Sequence, residues 1–91
     1  MVVETKHGEF EVNSITRKQR RDHFKRVKTV LANQVPEELH DLADEFTLLA
    51  FGDEKKAEKK LEGLSALEED EVLTAIIIAY MGLETGNSTG D

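Results

Sequence analysis

The chain contains no cysteine. Neither a disulfide nor a thiolate-bound metal can staple it, and the absence agrees with a reducing compartment. Long apolar runs are also missing. The longest, "AIIIAYM", falls far short of the ~20 residues that a membrane-spanning helix needs. The opening residues, "MVVETKHGEF", carry charges where a signal peptide has its apolar region. A soluble, intracellular protein without membrane contact is therefore expected.

The usual signatures of catalysis are absent too. His7, His23 and His40 are scattered over three elements, and none has a second histidine or a carboxylate at HExxH-type spacing. They read as surface or loop histidines. Pairs such as Glu37/Asp41 and Asp41/Glu45 recur at helical spacing on a solvated face. A catalytic dyad would need a cleft that raises one pKa. No glycine-rich phosphate loop and no serine nucleophile motif is present, and "DEKKAEKKLEG" lacks the alternating ligands of a calcium loop. The expectation is a non-enzyme with no cofactor, no metal and no small-molecule substrate.

What the chain has is charge, unevenly placed. Its 91 residues carry −7 overall. Residues 17–34 hold Arg17, Lys18, Arg20, Arg21, Lys25, Arg26 and Lys28 against Asp22 alone, or +6. Residues 35–52 hold Glu37, Glu38, Asp41, Asp44 and Glu45, or −5, and Glu68 to Glu71 add −4 further on. Such alternation suits elements that attract each other or a copy of themselves. A single domain this short buries a modest fraction of its surface, so association is a plausible source of stability.

The expected fold is α+β and mostly helical: an N-terminal β-hairpin over residues 1–15, then three to four short helices over 16–83. In the hairpin, Val2, Phe10 and Val12 recur at strand spacing and Gly8 supplies the turn. Thr16 and Gln19 form a capping box for a first helix reaching about Asn33, with Phe24, Val27, Val30 and Leu31 as its apolar stripe. Pro36 opens a second helix bearing Leu39, Leu42, Ala43, Phe46, Leu49 and Ala50, and Gly52 stops it. Asp53 caps a third. It has only Ala57, Leu61 and Leu64 to bury, and the like-charge pairs Glu54/Glu58, Lys55/Lys59 and Glu58/Glu62 oppose it. Ser65 and Glu68 box the fourth, which stops at Gly82 with Leu83 as its hydrophobic cap. This helix is apolar on more than one face and should be central or touch two neighbours. Phe24, Leu31, Leu42, Phe46, Leu73 and Ile76 are the expected core. Residues 84–91, small and polar, should form a flexible, disordered tail.

The stretch "TRKQRRDHFKRVK" admits three readings: a solvated helix face meeting acids of the second or fourth helix, a phosphate-binding surface, or a patch for an acidic partner protein. Its cations sit at the helix end that the macrodipole disfavours. Contact with protein carboxylates, within the fold or across a subunit boundary, is favoured over nucleic acid, because the remaining segments repel phosphate.

The layout "HGEFEVNSITRKQRRDH", two acidic amphipathic helices, then "EVLTAIIIAYMGLE" and a Gly/Ser/Asn tail resembles the tail assembly chaperones of long-tailed bacteriophages. The resemblance implies a helical protein that binds the tape-measure protein in the host cell cytoplasm, keeps its long helices soluble and is absent from the mature virion. It also implies the short product of a frameshifted gene. A homo-oligomer is expected separately, from the small size and the alternating charge. By that analogy client or self contacts fall to Val72, Ile76, Ile77, Tyr80 and Met81 on the last helix, and to Arg17, Lys18, Arg20, Arg21 and Lys25 on the first. The alternative is a small nucleic-acid-associated regulator using the basic helix 17–28.

Overall fold

The computed structural model describes residues 1–82. The expectations for Leu83 and for a tail over 84–91 lie outside these residues. Strands β1 (Val2–Thr5) and β2 (Gly8–Glu11) form an antiparallel hairpin, followed by helices α1 (Arg17–Asn33), α2 (Pro36–Phe51), α3 (Glu54–Lys60) and α4 (Ala66–Met81). The hairpin turns through Lys6 and His7. Gly8 adopts φ +113°, a value that side chains with a Cβ avoid. The Thr5 hydroxyl accepts from His7 N–H at 3.0 Å and donates to Gly8 O at 2.9 Å, which closes the turn.

The helices begin where the side chains can serve their free N–H groups. Thr16 Oγ1 accepts from Gln19 N at 3.1 Å, and Gln19 Oε1 accepts from Thr16 N at 2.8 Å. Ser65 and Glu68 repeat the arrangement at α4, at 3.2 and 2.9 Å. Replacing Ser65 by Ala should lower stability by ~1 kcal/mol, read as a shift of the urea midpoint at unchanged slope. Helix α1 ends on Gln34, a non-glycine residue at φ +59°. Its own side-chain amide donates to Leu31 O at 2.7 Å, which helps hold it in the left-handed region.

Helix α4 is the centre of the molecule. It packs against α2, β1 and α1, and Val72, Ile76 and Met81 are completely buried. That accounts for its apolar character on more than one face. The segment between hairpin and α1 ties the elements together at Asn13. Asn13 N donates to Ala50 O at 2.8 Å and its side-chain amide to Leu49 O at 3.4 Å, both C-terminal carbonyls of α2 without helical partners. The Tyr80 hydroxyl of α4 donates to Asn13 O.

Two details depart from the sequence reading. The inward residue of β1 is Val3, 4% exposed, opposite Phe10, whereas Val2 is 54% exposed. Strand pairing decides which parity faces the helix, and a one-residue slip exchanges the faces. On α1, Phe24 and Leu31 are half-buried while Val27 and Val30 are buried. The line of contact runs through His23, Val27 and Val30, at i, i+4 and i+7, so Phe24 and Leu31 flank it on one side. His23 is therefore no simple surface histidine: its ring meets that of Phe46 edge-on at 5.4 Å. The other four expected core residues, Leu42, Phe46, Leu73 and Ile76, are buried.

Candidate functional site

The apolar residues of α4 assigned to partner contact are all interior. Val72, Ile76, Ile77, Tyr80 and Met81 are each less than 5% exposed, so they hold the fold together and are not presented to a partner. The hairpin and helices α1 and α2 cover those faces. What α4 leaves uncovered is the next strip round, Thr74, Ala75 and Ile78. With Glu4, Thr5 and Lys6 of the hairpin and Glu71 they line a trough of about 570 Å³. Its floor is the small Ala75 and the half-buried Ile78, and its rim is charged. Helical periodicity showed that α4 was apolar beyond one face. It could not say which strip the hairpin would leave open.

His7 fixes one wall of this trough. Its Nε2 lies 2.7 Å from Glu71 Oε1 and its Nδ1 3.9 Å from Glu68 Oε2. The turn histidine, expected in a loop, thus fastens the hairpin to α4. The Glu68 carboxyl is held below the ordinary carboxylate range, first by the backbone N–H of Ser65 that donates to it. The Ser65 hydroxyl and His7 pull the same way more weakly, and partial desolvation opposes them.

The basic residues behave differently from the apolar ones. Arg17, Lys18, Arg20, Arg21 and Lys25 are all exposed. Arg17, Arg20, Arg21 and Lys25 surround Phe24 in a depression of about 420 Å³ with no acid in its lining. Two of the seven cations of α1 meet carboxylates. Arg26 reaches Glu45 of α2 at 2.6 Å, and Lys18 pairs with Asp22 one turn on at 3.2 Å. Among the described residues Arg17, Arg20, Arg21, Lys25 and Lys28 have no carboxylate at ion-pair distance. Lys28 instead lies over the Phe24 ring, 5.8 Å from its centroid. The terminal nitrogen Nη2 of Arg20 lies where a Cβ on Gly82 would come within 2.7 Å, so the patch borders the C-terminal end of α4.

A second groove runs between α2, α3 and the first turns of α4, with a volume of about 460 Å³. Ala43, Ala57, Leu61, Leu64 and Leu73 form its floor. Asp44, Glu54, Glu58, Glu62, Glu69 and Asp70 supply its charges, and no lysine or arginine lines it. The signal for it was in the sequence. Glu54, Glu58 and Glu62 step by four and share one side of the segment, so the repulsion that disfavours α3 is also a stripe of one sign. The lysines Lys56, Lys59 and Lys60 fall on the other side, against Val12, Asn13 and Phe51.

Among the described residues no charged side chain is buried. No group of three or more His, Asp or Glu is placed to hold a metal ion. No described helix is long and apolar enough to cross a membrane. The one clearly perturbed phenol is structural: burial pushes Tyr80 up to about 12. The unfolded chain gives up this proton near 10, before the folded one does. Stability should therefore hold below pH 10 and fall between pH 10 and about 12. Tyr80→Phe should remove that slope while costing ~1 kcal/mol at neutral pH through the lost bond to Asn13. Urea titrations across this range read both effects. Compared with protein-family models, with curated proteins and with solved structures, the chain matches none.

Proposed function

We propose that the chain is a non-enzymatic binding protein that holds an amphipathic helix of a larger partner. Following the resemblance in layout, we assign it to phage tail morphogenesis as the assembly chaperone of a tape-measure protein. It would act in the host cytoplasm and leave before the virion is complete. The observation that supports this reading is the trough between β1 and α4. A small-residue floor at Ala75 lets a helix approach closely, Ile78 offers an apolar contact, and Glu4, Lys6 and Glu71 form the rim that keeps such a complex in solution. Binding by stoichiometry needs no more chemistry than this.

Co-expression with a long helical client tests it. The wild type should hold the client in solution and elute with it. Ile78→Arg should lose the complex and keep the helical circular dichroism. A client equally soluble with Ile78→Arg, or without the chain, would refute the reading.

A second reading has its own support: the four cations around Phe24 form a surface that phosphates could approach. Binding to duplex DNA that weakens steeply with salt, and disappears on reversing Arg20 and Arg21 to Glu, would establish that reading in place of the first.

A further inference from the structure

We infer that the basic face of α1 docks into the acidic groove between α2, α3 and α4 of a second copy of this chain. Two observations converge on that occupant. The depression around Phe24 is lined by Arg17, Arg20, Arg21 and Lys25 with no acid, and the groove is lined by six acids with no lysine or arginine. Each has an apolar element at its centre, Phe24 on one side and the Leu61, Leu64 and Leu73 floor on the other. A half-buried aromatic residue ringed by cations is the complement of an apolar floor ringed by carboxylates.

The two surfaces cannot satisfy each other within one molecule. Arg20 borders Gly82 at the C-terminal end of α4, while Glu69 and Asp70 sit in its first turns. Those points are about 18 Å apart at the helical rise of 1.5 Å per residue. Made once per pair, a contact that joins two different patches is heterologous. It leaves one free basic face and one free groove on every pair, so copies add head to tail into a ring or an open chain. Residues of the trough play no part in it, so the contact goes beyond the client-binding reading and stands or falls separately.

Mixing two charge-neutralised variants tests the geometry. Arg21→Gln/Lys25→Gln spoils the basic face and leaves the groove. Glu58→Gln/Glu62→Gln spoils the groove and leaves the basic face. All four positions are exposed, and circular dichroism checks that each variant folds. Asp44→Asn on α2 replaces the second variant if α3 does not tolerate its changes.

Light scattering should show the wild type growing beyond a dimer as concentration rises. Growth should weaken between 0.15 and 1 M salt as the Debye length falls from about 8 to about 3 Å. Each variant alone should associate roughly ten- to a hundredfold more weakly. Their equimolar mixture has one intact basic face and one intact groove per pair, so it should stop at a one-to-one dimer. A wild type monomeric at every concentration, variants that associate like the wild type, or a mixture that remains monomeric or grows past the dimer would each overturn the inference. Ile78→Arg should associate as the wild type does, which separates this test from that of the client.

Discussion

Phe46→Ala should cost about 3–5 kcal/mol, the range for a large aromatic residue truncated inside a packed core. Phe46 is 0% exposed. Its ring meets His23 of α1 edge-on at 5.4 Å and Tyr80 of α4 at 6.0 Å. It is thus a side chain through which α2 touches both α1 and α4. Alanine would leave a void bounded by three helices, none of which can move in without giving up contacts elsewhere. A domain of this size has a total stability of about 5–14 kcal/mol, so the substitution removes a large share of it. The melting temperature should fall by roughly 12–40 °C. A urea midpoint equal to that of the wild type would place the ring outside the core and contradict the packing described above.

Val3→Asp and Val2→Asp should differ far more than their adjacency suggests. Val3 sits opposite Phe10 with its side chain against α4. An aspartate there would be buried without a partner and should cost about 3 kcal/mol or more. Val2 faces solvent, and the same change there should stay within ~0.5 kcal/mol. Urea denaturation of the two variants measures the difference. Equal effects would mean that the register pairing Val3 with Phe10 is wrong, because a slip of one residue exchanges the two positions.

That pair of valines also marks the limit of what could be read in advance. The hairpin, its glycine turn and all four helices were legible because their signals are local. Thr16 with Gln19, Pro36 with Gly52, Asp53, and Ser65 with Glu68 each speak for backbone groups within a few residues. The parity of a four-residue strand with two adjacent valines is settled by which of them pairs with Phe10, and so by which residues make the turn, a choice that the apolar pattern alone does not make. The face of α1 shows the same dependence. Phe24 is the larger apolar residue, yet His23 is turned to α2, because the helix must present Val27 and Val30 together and His23 shares their side. For the candidate site, the basic patch of α1 was visible as a run of charge. Of the acidic groove only the Glu54, Glu58 and Glu62 stripe was visible, because its other carboxylates come from α2 and α4. The helix α4 was correctly read as apolar, but the residues named on it proved to be those that its neighbours cover.

The tie between Asn13 and Tyr80 has a consequence for the order in which the chain can fold. The hairpin is synthesised first, but its docking partner is α4, the last described element. At ~5–20 residues per second, roughly 4–14 s separate the two at the ribosome. Through that interval a two-stranded ribbon, marginal by itself, has Val3 and Phe10 with nothing to cover them. Glu4 on β1 and Glu9 and Glu11 on β2 alternate with the apolar positions, and charges so placed discourage a neighbouring chain from adding a strand at the open edges. The acidic hairpin therefore protects the nascent chain until α4 arrives to bury it.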